Sequence, residues 1–146
     1  MSISELFLDE LNVDSTDLQK ALQFQQRNGG RLERILQNMG ALSSELVPNY
    51  FSKLLNIPVL TLQDAKKLNI EDDVILKAVA SGLPERGIYP LEYNNQNAVK
   101  VCAMIDPLDV EANNWLSMEP SVATIYVLTE DTQNHLKELF NKNIAT

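Results

Sequence analysis

The sequence predicts an α+β fold, and three observations carry the prediction. Apolar residues recur with helical spacing through the first third of the chain, a 29-residue repeat underlies them, and from Gly87 onward short β-type runs alternate with helical ones. The expected arrangement is a helical repeat lobe over residues 1–58, followed by a ββαβα lobe over residues 59–146 whose sheet has three strands.

The helical elements come first. In "STDLQKALQFQQRNGG", Leu18, Ala21, Leu22 and Gln25 stand at i, i+3, i+4 and i+7, with Ser15 or Thr16 placed to cap the start and Gly29 to stop the helix. Leu32, Ile35, Leu36 and Met39 repeat that face in the next stretch, and Gly40 takes the C-terminal position. Ser43 or Ser44 then opens a third helix bearing Leu46, Val47, Tyr50, Phe51, Leu54 and Leu55. Pro48 lies within or just past its first turn, where a missing N–H costs little. Ile3, Phe7, Val13, Leu18 and Leu22 each find a counterpart 29 residues on, in Leu32, Leu36, Leu42, Val47 and Phe51. Each copy, a short helix, a turn and a longer helix, has too little apolar surface to fold alone, so the two are expected to pack on each other.

After Asn56 the texture changes. "IPVLTL" is extended and apolar, since Pro58 forces Ile57 away from helix, and "VLTLQD" is too short and apolar to be a free linker. A short polar helix from about Gln63 to Leu68 is expected next, and "NIEDDVILKAVASG" reads as a helix with acids in its first turn, where the macrodipole favours them. "GIYPLEY" and "AVKVCAMI" flank the polar "NNQN" as a hairpin, "LDVEANNWLSM" is helical, "VATIYVL" is the third strand and "EDTQNHLKELFN" the last helix. The sheet is expected to pack one face on the two helices, through Trp115, Leu116, Leu136, Leu139 and Phe140. The tail "NKNIAT" ends just past that helix, as either a natural terminus or a segment boundary would.

Composition removes several functions. The 146 residues are 45% hydrophobic and 22% charged, within the globular range, and the formal charge of −8 repels a nucleic-acid backbone unless a basic stripe overcomes it. No such stripe is legible: Lys66 and Lys67 are followed by Glu71, Asp72 and Asp73. No run of about 18 apolar residues occurs, and "MSISELFLDEL" lacks the basic flank and apolar core of a signal peptide, so a cytoplasmic location is expected. The single cysteine, Cys102, lies in an apolar run and reads as a buried structural thiol.

Nor do the residues spell out catalysis. "NGGRLER" lacks the Gly-x-x-x-x-Gly-Lys-Ser/Thr pattern of a phosphate loop, and no Gly-x-Gly-x-x-Gly follows a strand, so no ATP hydrolysis is expected of these residues. Asp106, Asp109 and Glu111 could form a metal or acid/base cluster, but Asp106 before Pro107 is what a helix start requires and Asp109 falls in its first turn, which fits capping better. His135 has no Cys or Ser partner and reads as a solvated side chain of a polar helix. Binding remains. Arg31, after two glycines and at a helix start, puts a guanidinium beside backbone N–H groups, which suits a phosphate; the simpler reading is a turn followed by a solvated arginine.

The repeat, then "LLNIPVLTL", then "GIYPLEYNNQNAVKVCAMIDPLDVEANNWL", resembles the N-terminal domain of type II secretion and type IV pilus assembly ATPases over nearly the whole chain. "AMIDPLDVEA" is the sharpest element, close to that family's A-x-x-D-P-L-D-x-E-A, whereas the family's Gly-Ile-Pro appears as Asn56-Ile57-Pro58. The resemblance implies a regulatory and docking region preceding a hexameric motor core that holds ATP and Mg. In the secretion branch the helical part binds the cytoplasmic domain of an inner-membrane platform protein, so the membrane is reached only through a partner. With the core absent from these residues, the chain is expected to be a segment of a longer protein; a stand-alone adaptor of the same fold is the other reading.

A second branch of the family uses the repeat to bind cyclic di-GMP, each motif beginning Arg-Leu-Gly, with a Gly seven residues after the first and a closing Gln. Here the second copy keeps Arg31, Leu32 and Gly40 but has Glu33 for the first Gly and Leu54 for the Gln. The first copy has Ser2, Ser4 and Leu11 for Arg and the two glycines, and keeps only Gln25. Gln25, Arg31, Leu32 and Gly40 are therefore the candidate binding residues, for half of a dinucleotide site. No catalytic, cofactor or metal-binding residue is expected.

Overall fold

The computed structural model describes residues 2–142, so the last four residues of the "NKNIAT" tail lie outside it. Two compact units divide at the Asn56–Ile57 bond: Met1–Asn56 and Ile57–Thr146.

The first unit is helical throughout. α1 (Ile3–Glu5) runs straight into a π-helical turn (Leu6–Glu10), α2 spans Ser15–Asn28, α3 spans Leu32–Asn38, and a 3₁₀ turn (Ser44–Leu46) leads into α4 (Val47–Leu55). Caps set these starts. Asp14 caps α2 by accepting from the Thr16 and Asp17 amides, one residue before the serine expected to do so, and Ser43 accepts from Glu45 N. Pro48 sits in the first turn of α4, where it breaks no hydrogen bond.

The two copies are alike down to the backbone. Val13 N donates to Phe7 O at 2.9 Å, and 29 residues later Leu42 N donates to Leu36 O at 3.2 Å. They differ where the first copy lost its glycine. Gly40 adopts φ +76°, while Leu11 stays at φ −107° and hands the left-handed conformation on to Asn12 at +56°, a residue type that tolerates it. Phe7 and Leu36 are fully buried, and Val13, Leu18, Leu32, Leu42 and Phe51 nearly so. Ile3 and Leu22, read as core from their spacing, are exposed. The first helix begins at Ile3, and the core-facing side of α2 is centred on Leu18 and Ala21, so neither has an opposing surface to meet.

In the second unit the strands are β1 (Val59–Leu60), β2 (Ile88–Tyr93), β3 (Val99–Met104) and β4 (Thr124–Leu128). Among the described residues the sheet is thus four-stranded, not three-stranded, in the order β1-β4-β3-β2. β1 pairs parallel to β4, with Val59 opposite Val127 and Leu60 opposite Leu128. β3 is parallel to β4 and antiparallel to β2. Pro90 is accommodated because β2 is an edge strand, where a missing N–H need not face a neighbour.

Helices α5 (Leu62–Lys67), α6 (Asp72–Ser81), α7 (Val110–Ser117) and α8 (Glu130–Lys142) complete the unit. They cover both faces of the sheet, which corrects the single packed face expected from sequence. Tyr89, Leu91, Ala103 and Leu128 meet Ile75 and Ala78 of α6 and Leu136 and Phe140 of α8 on one side. Ile88, Cys102 and Met104 meet Ala112 and Trp115 of α7 on the other. The helices expected to lie side by side, α7 and α8, therefore lie on opposite faces.

One polar group is buried within this packing. Thr132 of α8, with no exposed surface, donates from Oγ1 to the Leu60 carbonyl at 3.0 Å, so the last helix holds the two-residue β1 against the sheet. Thr132→Val keeps the shape and orphans that carbonyl, and is expected to lower the unfolding free energy by about 1–3 kcal/mol. Urea unfolding followed by Trp115 fluorescence measures this, and an unchanged midpoint would remove the anchoring role. Cys102, at the centre of β3 and fully buried, has its thiol pushed up to about 12 by burial. Ellman's reagent at neutral pH is expected to leave the folded chain unlabelled and to label it fully once unfolded; rapid labelling of the folded chain would contradict this burial.

Candidate functional site

Two of the four candidate residues, Gln25 and Arg31, meet at the turn that joins the two copies. α2 ends because Gly29 and Gly30 take φ +72° and +103°, conformations that a side chain strains against, and Gly29 N still closes the helix by donating to Gln25 O at 2.7 Å. The Gln25 side chain folds over the same turn, its Nε2 donating to Gly30 O at 3.0 Å. Arg31 follows in extended conformation as the N-terminal flanking residue of α3.

Arg31 is not the solvated side chain that the simpler reading of the glycine turn predicts. Its Nε and Nη2 both reach Oε1 of Glu33 at 2.5 Å, and its guanidinium carbon stands 5.5 Å from the centre of the Phe51 ring. Only 26% of the Arg31 side chain and 2% of the Glu33 side chain is exposed. A carboxylate so removed from water is tolerable only beside a cation, and here that cation lies two residues earlier in the chain. Tyr50 completes the cluster. Its hydroxyl is held above the usual tyrosine range, first by burial and then by the negative charge of Glu33, with Arg31 opposing. Phe7, from the first copy, stacks on Tyr50 with ring centres 4.9 Å apart.

The structure therefore brings Gln25 and Arg31 to one turn. Leu32 is buried in the core of the unit, 7% exposed. Gly40 lies at the other end of α3, about 12 Å along the axis at 1.5 Å per residue. The residue that sequence reasoning passed over is Glu33. It registers in the sequence as a missing glycine, whereas in the fold it is the partner that fixes where Arg31 points.

The other candidate groups have structural surroundings. Asp109 caps α7 by accepting from Ala112 N at 3.2 Å, and Asp106 accepts from Leu108 N at 3.1 Å, so the cap falls three residues later than the Asp106-Pro107 pair suggested. His135 is half-buried on α8 rather than fully solvated. Among the described residues no three His, Cys, Asp or Glu side chains converge as a metal site, and no helix is long and apolar enough to cross a membrane.

No family model matches the chain. In sequence it is 28% identical over 110 residues to the type IV pilus assembly ATPase PilB of Myxococcus xanthus (strain DK1622), a match covering 75% of this chain and 19% of that protein's length. In fold it is similar to the structure of MshE with cdg, with a TM-score of 0.69 at 21% identity over 98% of this chain and 99% of that one. It is similar also to the N-terminal domain of XpsE, with a TM-score of 0.56 at 17% identity over 93% and 91% of the two chains. The resemblance carried by the repeat and by "AMIDPLDVEA", to the N-terminal domain of type II secretion and type IV pilus assembly ATPases, is thus met in both sequence and fold.

Proposed function

We propose that this chain is a non-catalytic docking and regulatory domain of a secretion or pilus motor ATPase, whose helical unit engages the cytoplasmic domain of an inner-membrane platform protein. The observation that carries the reading is one of extent. The chain matches nearly all of an MshE chain and of an isolated XpsE N-terminal domain, yet spans only 19% of the length of the pilus ATPase it resembles in sequence. The phosphate-loop pattern is absent from these residues. ATP and Mg then belong to a motor core elsewhere in a hexameric parent protein, and the domain works in the cytoplasm, peripheral to the inner membrane through its partner. A pull-down on the platform's cytoplasmic domain is expected to retain the whole chain and to lose residues 59–146 alone; equal retention of both would overturn the assignment to the helical unit.

The likeness to MshE with cdg favours a second reading, a sensor of cyclic di-GMP. Arg31, Leu32, Gly40 and Gln25 are present for it, but the Arg31 guanidinium that would meet a phosphate already holds Glu33. Calorimetry with cyclic di-GMP is expected to give heats indistinguishable from dilution. Binding at micromolar affinity or tighter that disappears in Arg31→Ala would establish the sensor instead.

A further inference from the structure

The charges of this chain are not spread evenly. Residues 18–44 hold four of the twelve basic residues, Lys20, Arg27, Arg31 and Arg34, and only one of the twenty acids, Glu33. That acid is buried and paired with Arg31. The charges this stretch shows to solvent are therefore all positive, in a molecule whose formal charge is −8.

Helix geometry collects part of this set into one surface. At 100° per residue, Lys20, Phe24 and Arg27 of α2 fall within about 60° of one another, opposite the buried Leu18. Lys20 and Arg27 are exposed, and Phe24 is 52% exposed between them. Arg34 is exposed on the first turn of α3, just across the Gly29-Gly30 turn. An aromatic side chain in water flanked by cations one helical turn to either side is the composition of an interface anchor with a charged rim.

We infer that the Lys20-Phe24-Arg27 face of α2 is a docking surface for an acidic protein segment, one that offers an apolar seat to Phe24 and carboxylates to the two cations. Charge complementarity selects this occupant. A nucleic acid or an anionic bilayer is extended and meets the field of the whole chain, including Glu5, Asp9, Glu10 and Asp14 upstream, whereas a short acidic segment seated from Phe24 to Arg27 meets the two cations and only one acid nearby, the half-buried Asp17 one turn before Lys20. The inference rests on the docking reading above and gives that partner its chemistry.

The test compares the wild-type chain with Lys20→Glu/Arg27→Glu and with Phe24→Ser, all sites on the exposed face, after circular dichroism and thermal melting have shown that the variants fold. Two probes are titrated: the platform's cytoplasmic domain, and a synthetic peptide of alternating Glu and Leu followed by backbone amide NMR shifts. The expected result is that the double charge reversal weakens both by about tenfold or more, that Phe24→Ser weakens the platform domain by about tenfold, and that the peptide shifts amides of residues 20–34. Platform binding that is unchanged in every variant, with no peptide shifts at residues 20–34, would overturn this surface and leave docking intact. Peptide binding at this face without any platform binding would keep the surface and overturn the choice of platform. Loss of both probes in the wild type would overturn both. Co-sedimentation with anionic phosphatidylserine vesicles, or self-association, abolished by the same charge reversal would overturn the acidic segment as occupant.

Discussion

A carboxylate with 2% of its side chain exposed is the constraint around which the helical unit is arranged. Removing such a group from water costs several kcal/mol unless a cation and hydrogen bonds replace the lost solvation. Glu33 has its cation two residues away in Arg31, and that proximity fixes much else. It draws the guanidinium inward against the face of Phe51 on α4. It sets a negative charge beside the Tyr50 hydroxyl, which remains protonated above the ordinary tyrosine range. Behind Tyr50 lies Phe7 of the first copy, stacked on its ring. The two copies therefore meet through stacked aromatic rings with an ion pair behind them in the second copy, where the periodicity alone suggests apolar contacts only.

Most of the helical unit was legible because helices announce themselves through a 3.6-residue period and through their caps. The 29-residue offset survives even in single backbone hydrogen bonds, since Val13 to Phe7 and Leu42 to Leu36 are the same bond made twice. Where the copies diverge, the sequence held the reason but not the outcome. Leu11 in place of glycine cannot turn left-handed cheaply, so the chain widens to a π turn and lets Asn12 take the strain. Arg31 was misread for a related reason. A periodic pattern ranks residues as buried or exposed one at a time and carries no information that two opposite charges will go in together.

The sheet was read one strand short and one face too open. β1 has two residues, too few for any alternation to register, and its place depends on partners far along the chain: Val127 donates to Pro58 O at 2.9 Å and Thr132 to Leu60 O. The second covered face had a visible sign. The run Val101-Cys102-Ala103-Met104 does not alternate between apolar and polar, as expected of a strand packed on both sides. The five covering residues named from sequence were sound, but Trp115 and Leu116 belong to one face and Leu136, Leu139 and Phe140 to the other.

The fate of the four cations in residues 18–44 links the fold to recognition. Arg31, neutralised by a buried acid, contributes structure and little field, because a charge paired at 2.5 Å looks like a dipole from a few ångströms away. Lys20 and Arg27 project from the exposed side of α2 and keep their field. The same Glu33 thus has two opposite consequences: it quiets the cation nearest the glycine turn, and, being the only acid in residues 18–44, its burial leaves that stretch no acid of its own at the surface. Against a background of −8, that local sign reversal favours a compact acidic partner over an extended polyanion, because at physiological salt a short segment samples only charges within about 8 Å. Recognition through this face is therefore expected to be sensitive to ionic strength in its rate of encounter, and to Phe24 in its lifetime.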